Sequence, residues 1–178
     1  MVDDDGHPVP AGFDGEIQAR GPECFVGYAD AALNAEAFTA DGWFRTGDLG
    51  SLDANGYLRI TGRIKDIVIR KGEKFSVREI EELIARHAAV AEVAVVALPD
   101  PDTGECACAA VALRPGATLT LDELTAFLSG AGLARQKLPA QLAIVAHVPR
   151  TDSGKIHRAA LKEQLLLLAE AKPRGAES

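Results

Sequence analysis

The chain has 178 residues, a formal charge of -7 and 47% hydrophobic residues. That length suits one domain, or one small domain plus part of another, and the apolar content can fill a core, which excludes a disordered chain. The acidic balance, with basic residues interleaved among acids and not gathered into a stripe, argues against nucleic acid as the main partner.

The start, Met1-Val2-Asp3-Asp4-Asp5, is acidic where a secretory signal is basic and then apolar. Up to Gly12 the chain reads as loop. Glu16 to Arg20 alternates as a strand, Asp30 caps a short helix through Ala31 to Phe38, and Trp43-Phe44-Arg45 is a short strand. Leu49 to Leu52 and Tyr57 to Thr61 flank Asp53-Ala54-Asn55-Gly56 as a hairpin, with Asn-Gly expected to supply the positive φ angles. After Gly62 come a charged patch, the β-branched run Ile67-Val68-Ile69 and a turn at Gly72.

Ser76 and Glu79 then have the spacing of a capping box, in which each side chain satisfies an amide at the helix start. The helix they open is expected to run from Val77 to about His87. Val90 to Leu98 and Cys106 to Leu113 read as apolar strands about the turn Asp100 to Gly104. Thr120 and Glu123 form a second capping box, for a helix from Leu121 to about Ser129. Gln141 to Val145 reads as a third strand, Arg158 to Ala171 as a terminal helix, and Pro173 onward is expected to fray.

Cys106 and Cys108 share one face of their strand, where free cysteine packs as a small hydrophobe. With Cys24 they make an odd, sparse set, which predicts reduced thiols and a cytoplasmic location; no metal site is predicted. His7, His87, His147 and His157 are scattered and receive no role. No apolar run approaches the roughly 20 residues that cross a bilayer. The expected fold is α+β. Residues 65–178 form a small domain with a three-stranded sheet and flanking helices. Residues 1–64 are a β-rich remnant of a larger domain.

Four segments carry a resemblance in order along the chain. They are Gly21-Pro22 with Gly27-Tyr28; Thr46-Gly47-Asp48; the stretch from Gly62-Arg63-Ile64-Lys65-Asp66 through Gly72 to Glu81; and Pro149-Arg150-Thr151-Asp152-Ser153-Gly154-Lys155. Together they resemble the C-terminal portion of the adenylate-forming enzymes, which include acyl-CoA synthetases, aryl-acid ligases, peptide-synthetase adenylation domains and luciferases.

The resemblance implies an ATP-dependent, AMP-forming carboxylic acid–CoA ligase that makes an acyl-adenylate and then a CoA thioester of a fatty, alicyclic or aryl acid. The alternatives are an aryl-acid adenylating enzyme that loads a carrier protein, and an isolated non-catalytic module. The fragment by itself is expected to be inactive. The family's phosphate loop, acyl pocket and Mg2+ ligand belong to a portion this sequence does not contain.

By resemblance, Asp48 of Thr46-Gly47-Asp48 grips the ribose hydroxyls of ATP; a carboxylate can accept two hydrogen bonds at once. Arg63 contacts the nucleotide with a planar fork suited to phosphate, against the plain reading of a surface ion pair with Asp66. Lys65 matches the hinge between the two domains. Gly72, flanked by Lys71 and Lys74, lines the channel for the CoA arm. Lys155 neutralises charge as a carboxylate attacks the α-phosphate, and preorganised charge of this kind is often the largest catalytic contribution.

Overall fold

The computed structural model describes residues 1–171, and the tail from Pro173 lies outside them. The chain divides into two compact units, Met1–Lys65 and a second from Asp66 onward. Each is built around its own sheet, and the fold is α+β.

In the first unit β1 (Gly15–Ala19), β2 (Phe44–Leu52) and β3 (Leu58–Arg63) form a three-stranded antiparallel sheet in the order β1-β2-β3. Helix α1 (Ala31–Ala37) is capped by Asp30, whose carboxylate accepts from the Ala32 amide at 2.9 Å. Phe25 stacks edge-on against Tyr28, Phe38 and Phe44, with ring centroids 5.0, 5.4 and 5.0 Å away.

Two expectations for this unit need correction. The segments Trp43–Arg45 and Leu49–Leu52 are not separate, because β2 runs unbroken through Thr46-Gly47-Asp48. In the hairpin turn only Gly56 takes a positive φ, of 82°, and Asn55 does not. The Asp53 carboxylate instead accepts from the amides of Asn55 and Tyr57 at 2.8 and 2.9 Å. That local bond spares Asn55 the left-handed conformation.

The second unit has a five-stranded sheet where three strands were expected. Strands β6 (Val90–Asp100), β7 (Gly104–Leu113) and β8 (Gln141–Ile144) are the expected three. The β4 (Ile67–Arg70) and β5 (Glu73–Ser76) hairpin widens the sheet. Along β7, β6 pairs antiparallel on one edge. On the other edge β4 pairs at Gly104, and β8 pairs in parallel from Cys108 to Val111.

Successive residues of β7 point to opposite faces. Ala107, Ala109 and Val111 pack with Val77, Ile80 and Ile84 of α2 (Val77–Ile84) and with Leu124 and Leu128 of α3 (Leu121–Gly130). Cys106, Cys108 and Ala110 pack with Val145, Val148, and Leu161 and Leu165 of α4 (Arg158–Ala171). Both faces are therefore covered by helices, which is why β7 reads as a continuous apolar run.

The two capping boxes turn out differently. At α3 Thr120 and Glu123 bond reciprocally, as their spacing predicts. At α2 Ser76 accepts from Arg78 at 3.2 Å, while Glu79 is drawn away to an ion pair with Lys137. α2 also ends at Ile84, short of His87. Among the described residues no helix is long and apolar enough to cross a membrane.

Burial pushes the pKa of both strand thiols up, that of Cys108 to about 12, whereas Cys24 is partly exposed. Thiolate is the reactive form. An alkylating reagent should therefore enter at Cys24 in the native chain and reach Cys106 and Cys108 only on unfolding. Peptide mass spectrometry reads this, and native labelling of Cys108 would contradict the packing.

Candidate functional site

The sequence-predicted residues fall into a group on each unit. On the first, the structure brings Thr46, Asp48 and Arg63 together. The Thr46 hydroxyl donates to the Ile17 carbonyl at 2.6 Å and accepts from the Asp48 amide at 3.1 Å. This ties Gly47, with φ 71°, into the strand and fixes where the Asp48 side chain leaves it.

Asp48 lies opposite Arg63 in the β2–β3 ladder. Counting back from the pair Leu52 and Leu58, an unbroken ladder would set Arg63 against Gly47. The pairing skips Thr61 between Leu49 and Gly50, and this bulge moves Arg63 onto Asp48. Arg63 Nε donates to Asp48 Oδ1 at 2.6 Å. Arg63 thus pairs with Asp48 and not with Asp66. The Asp48 side chain is 28% exposed and that of Arg63 59%, so both remain open to a ligand. Lys65 is exposed on a 3-10 turn, Ile64–Asp66.

On the second unit, Gly72 and Lys71 form the two-residue turn of the β4–β5 hairpin with φ of 82° and 51°. Two positive φ angles mark the turn type whose twist matches a hairpin. The hairpin is fastened to the β6–β7 turn: the Lys71 amide donates to the Thr103 carbonyl at 2.9 Å and the Ile69 amide to the Glu105 carboxylate at 2.8 Å. Lys74 is exposed on β5.

Lys155 is exposed near the tip of a closed loop before α4. The His157 amide donates to the Pro149 carbonyl, the Thr151 amide to the Lys155 carbonyl and the Gly154 amide to the Thr151 carbonyl, each at 2.8 Å. Gly154, with φ 81°, makes the turn, and Arg150 donates to its carbonyl at 3.0 Å. Among the described residues the Lys155 ammonium has no ion-pair partner.

Sequence reasoning missed two features. His157 Nδ1 accepts from the Ala160 amide at 3.1 Å and so caps α4; its place one residue before the helix was the available signal. Glu81, Arg158 and Asp66 form an ion-pair cluster that only the tertiary fold assembles. A separate group, Asp3, Asp5 and His7, brings potential ligand atoms within 4.8 Å. All three residues are exposed, and Asp3 already accepts from the amides of the other two.

Comparison with known proteins gives consistent relatives. Residues 79–155 match the family described as the AMP-binding enzyme C-terminal domain. The chain is 40% identical over 168 residues to the medium-chain fatty-acid–CoA ligase of Escherichia coli, covering 93% of this chain and 30% of that protein. It is 46% identical over 164 residues to a salicylyl-CoA synthase / salicylate adenylyltransferase of Streptomyces, covering 92% of this chain and 30% of that protein. The structure of ATP-bound MatB from Rhodopseudomonas palustris aligns at a TM-score of 0.84 and 36% identity, over 92% of this chain and 33% of that one. The chain thus spans about 30% of the length of the curated relatives it matches.

Proposed function

We propose a function that proceeds from the family to which this chain belongs, the adenylate-forming AMP-binding enzymes: it forms part of an ATP-dependent, AMP-forming carboxylic acid–CoA ligase. In the first step a carboxylate oxygen attacks the α-phosphorus of ATP, pyrophosphate leaves, and an acyl-adenylate forms. In the second the CoA thiolate attacks the acyl carbon and AMP leaves.

The observation that carries this reading is the Asp48–Arg63 pair. A partly exposed carboxylate with one oxygen held by Arg63 keeps its other oxygen for the ribose hydroxyls of ATP. The Arg63 guanidinium beside it has further donors for phosphate oxygens. Lys155 supplies the positive charge of the first step from its exposed loop. Residues 1–64 and 65–178 are taken as the end of a larger domain and a small mobile one. Lys65 is then the hinge about which Lys155 leaves and the Gly72 turn, with Lys74, enters to line the path of the CoA arm. Such an exchange lets one site serve two reactions.

Mg2+ would accompany the triphosphate. Asp48 is the only carboxylate among the assigned residues, and with one oxygen held by Arg63 and the other assigned to the ribose it leaves no oxygen for the carboxylate contact that ion takes. No step here runs through it.

Replacing Asp48 with Ala should raise the KM for ATP by roughly tenfold to a hundredfold, the range for losing hydrogen bonds to a charged group. Fold stability should change by no more than about 1 kcal/mol, because the pair lies at the surface. Pyrophosphate exchange measured against ATP concentration reads this, and an unchanged KM would remove Asp48 from the nucleotide site.

A second reading has an aryl acid as substrate, favoured by the 46% identity to the salicylate-activating relative, and a carrier protein as acceptor, favoured by 40% identity over 166 residues to a salicyl-AMP ligase / salicyl-S-ArCP synthetase of Mycobacterium tuberculosis. Offering CoA and a phosphopantetheinylated carrier side by side separates the two acceptors.

A further inference from the structure

Arg158 opens α4 three residues after Lys155, immediately beyond the base of the Lys155 loop. Its guanidinium is held from two directions. Nη2 donates to both carboxylate oxygens of Glu81 at 2.8 and 2.7 Å. Nε faces Asp66 Oδ1 at 3.5 Å and is otherwise buried without a hydrogen-bond partner. The side chains of Arg158, Glu81 and Asp66 are 26%, 15% and 21% exposed, so solvent screens the cluster much less than a surface pair.

Glu81 is itself fixed. It sits on α2 and accepts the Val95 amide of β6 at 2.7 Å. Burial pushes its carboxyl above the usual range, opposed by the Val95 amide and the Arg158 charge. Keeping a carboxylate there depends on both. Asp66 directly follows Lys65.

We propose that Arg158 is a positioning residue for Lys155: bound by Glu81 and Asp66, it ties the base of the Lys155 loop to α2, β6 and the residue next to Lys65, so that the loop moves with the second unit as one piece. Core packing does not require this ion pair, since the apolar face of α4 rests on Leu161 and Leu165. Lysine cannot replace arginine here. It presents one point charge, whereas two separate guanidinium nitrogens address the two acids. The proposal rests on the assignment of Lys155 to the adenylation step.

Two readouts test it. The first needs no turnover. In the 178-residue chain, Arg158→Lys should speed hydrogen exchange of the Thr151, Gly154 and His157 amides about tenfold, as expected when a local opening is eased. The β6–β7 amides should not change. Faster exchange throughout the unit, or no change in the loop, would overturn the proposal.

The second uses the ligase that carries this chain. Arg158→Lys should lower acid-dependent pyrophosphate exchange about tenfold or more through misplacement of Lys155. Thioester formation from supplied acyl-adenylate should stay within about twofold, and on a Lys155→Ala background Arg158→Lys should cost nothing further, since the two act as a unit. Full additivity, or equal loss in both half-reactions, would overturn the proposal. Glu81→Gln, which keeps the acceptor for Val95, should give the same split and replaces Arg158→Lys if that variant misfolds. A wild-type enzyme without acid-dependent exchange would instead remove the proposed function, and the exchange experiment on the chain would still judge the anchoring.

Discussion

Lys155→Ala is expected to lower acid-dependent pyrophosphate exchange by about 10²–10³-fold, the usual cost of removing one preorganised charge or donor from a developing anion. The physical basis is local. Gly154 makes the turn, three 2.8 Å backbone bonds close the loop, and no acid among the described residues neutralises the ammonium. Thioester formation from supplied acyl-adenylate should be nearly unchanged, because in the proposed cycle Lys155 leaves the site before that step. Stability should move by less than about 0.5 kcal/mol, since an exposed, unpaired side chain contributes little to folding. Equal loss in both half-reactions would deny Lys155 its separate role.

Leu161→Ala is expected to have the largest effect on stability, about 2–5 kcal/mol, the range for truncating a fully buried leucine. Leu161 is fully buried and packs α4 onto the face of the sheet formed by Cys106, Cys108 and Ala110. The cavity would open between helix and strands, both held by long backbone ladders, so little collapse can relieve it. Urea unfolding of the chain followed by circular dichroism measures the loss. A shift below about 1 kcal/mol, less than any buried leucine truncation leaves, would contradict the packing of α4.

Much of this was legible because it is local. The capping box of α3 needs only Thr120 and Glu123, and it forms as their spacing predicts. The same spacing at Ser76 and Glu79 did not close, because Lys137 competes for Glu79 from far along the chain. The same reason hid the partner of Arg63. Nearness in sequence suggested Asp66, but the bulge at Thr61 delivers Asp48 and leaves Asp66 to Arg158.

The sheet was under-counted because β4 and β5 are four residues each, rich in charge and separated by only Lys71 and Gly72. Strands that short are specified by their neighbours more than by their own pattern. For the site, the motifs pointed to Asp48, Arg63 and Lys155. They could not reveal how Arg158, Glu81 and Asp66 meet, since these come from a helix start, a second helix and a 3-10 turn.

The most direct test is product analysis of the proposed ligase, given ATP, CoA and a panel of carboxylic acids. AMP and pyrophosphate are expected only when an acid is accepted, in equal amounts with the thioester, and both should be lost on Lys155→Ala. Release of ADP and phosphate, or AMP formation that survives Lys155→Ala undiminished, would contradict it.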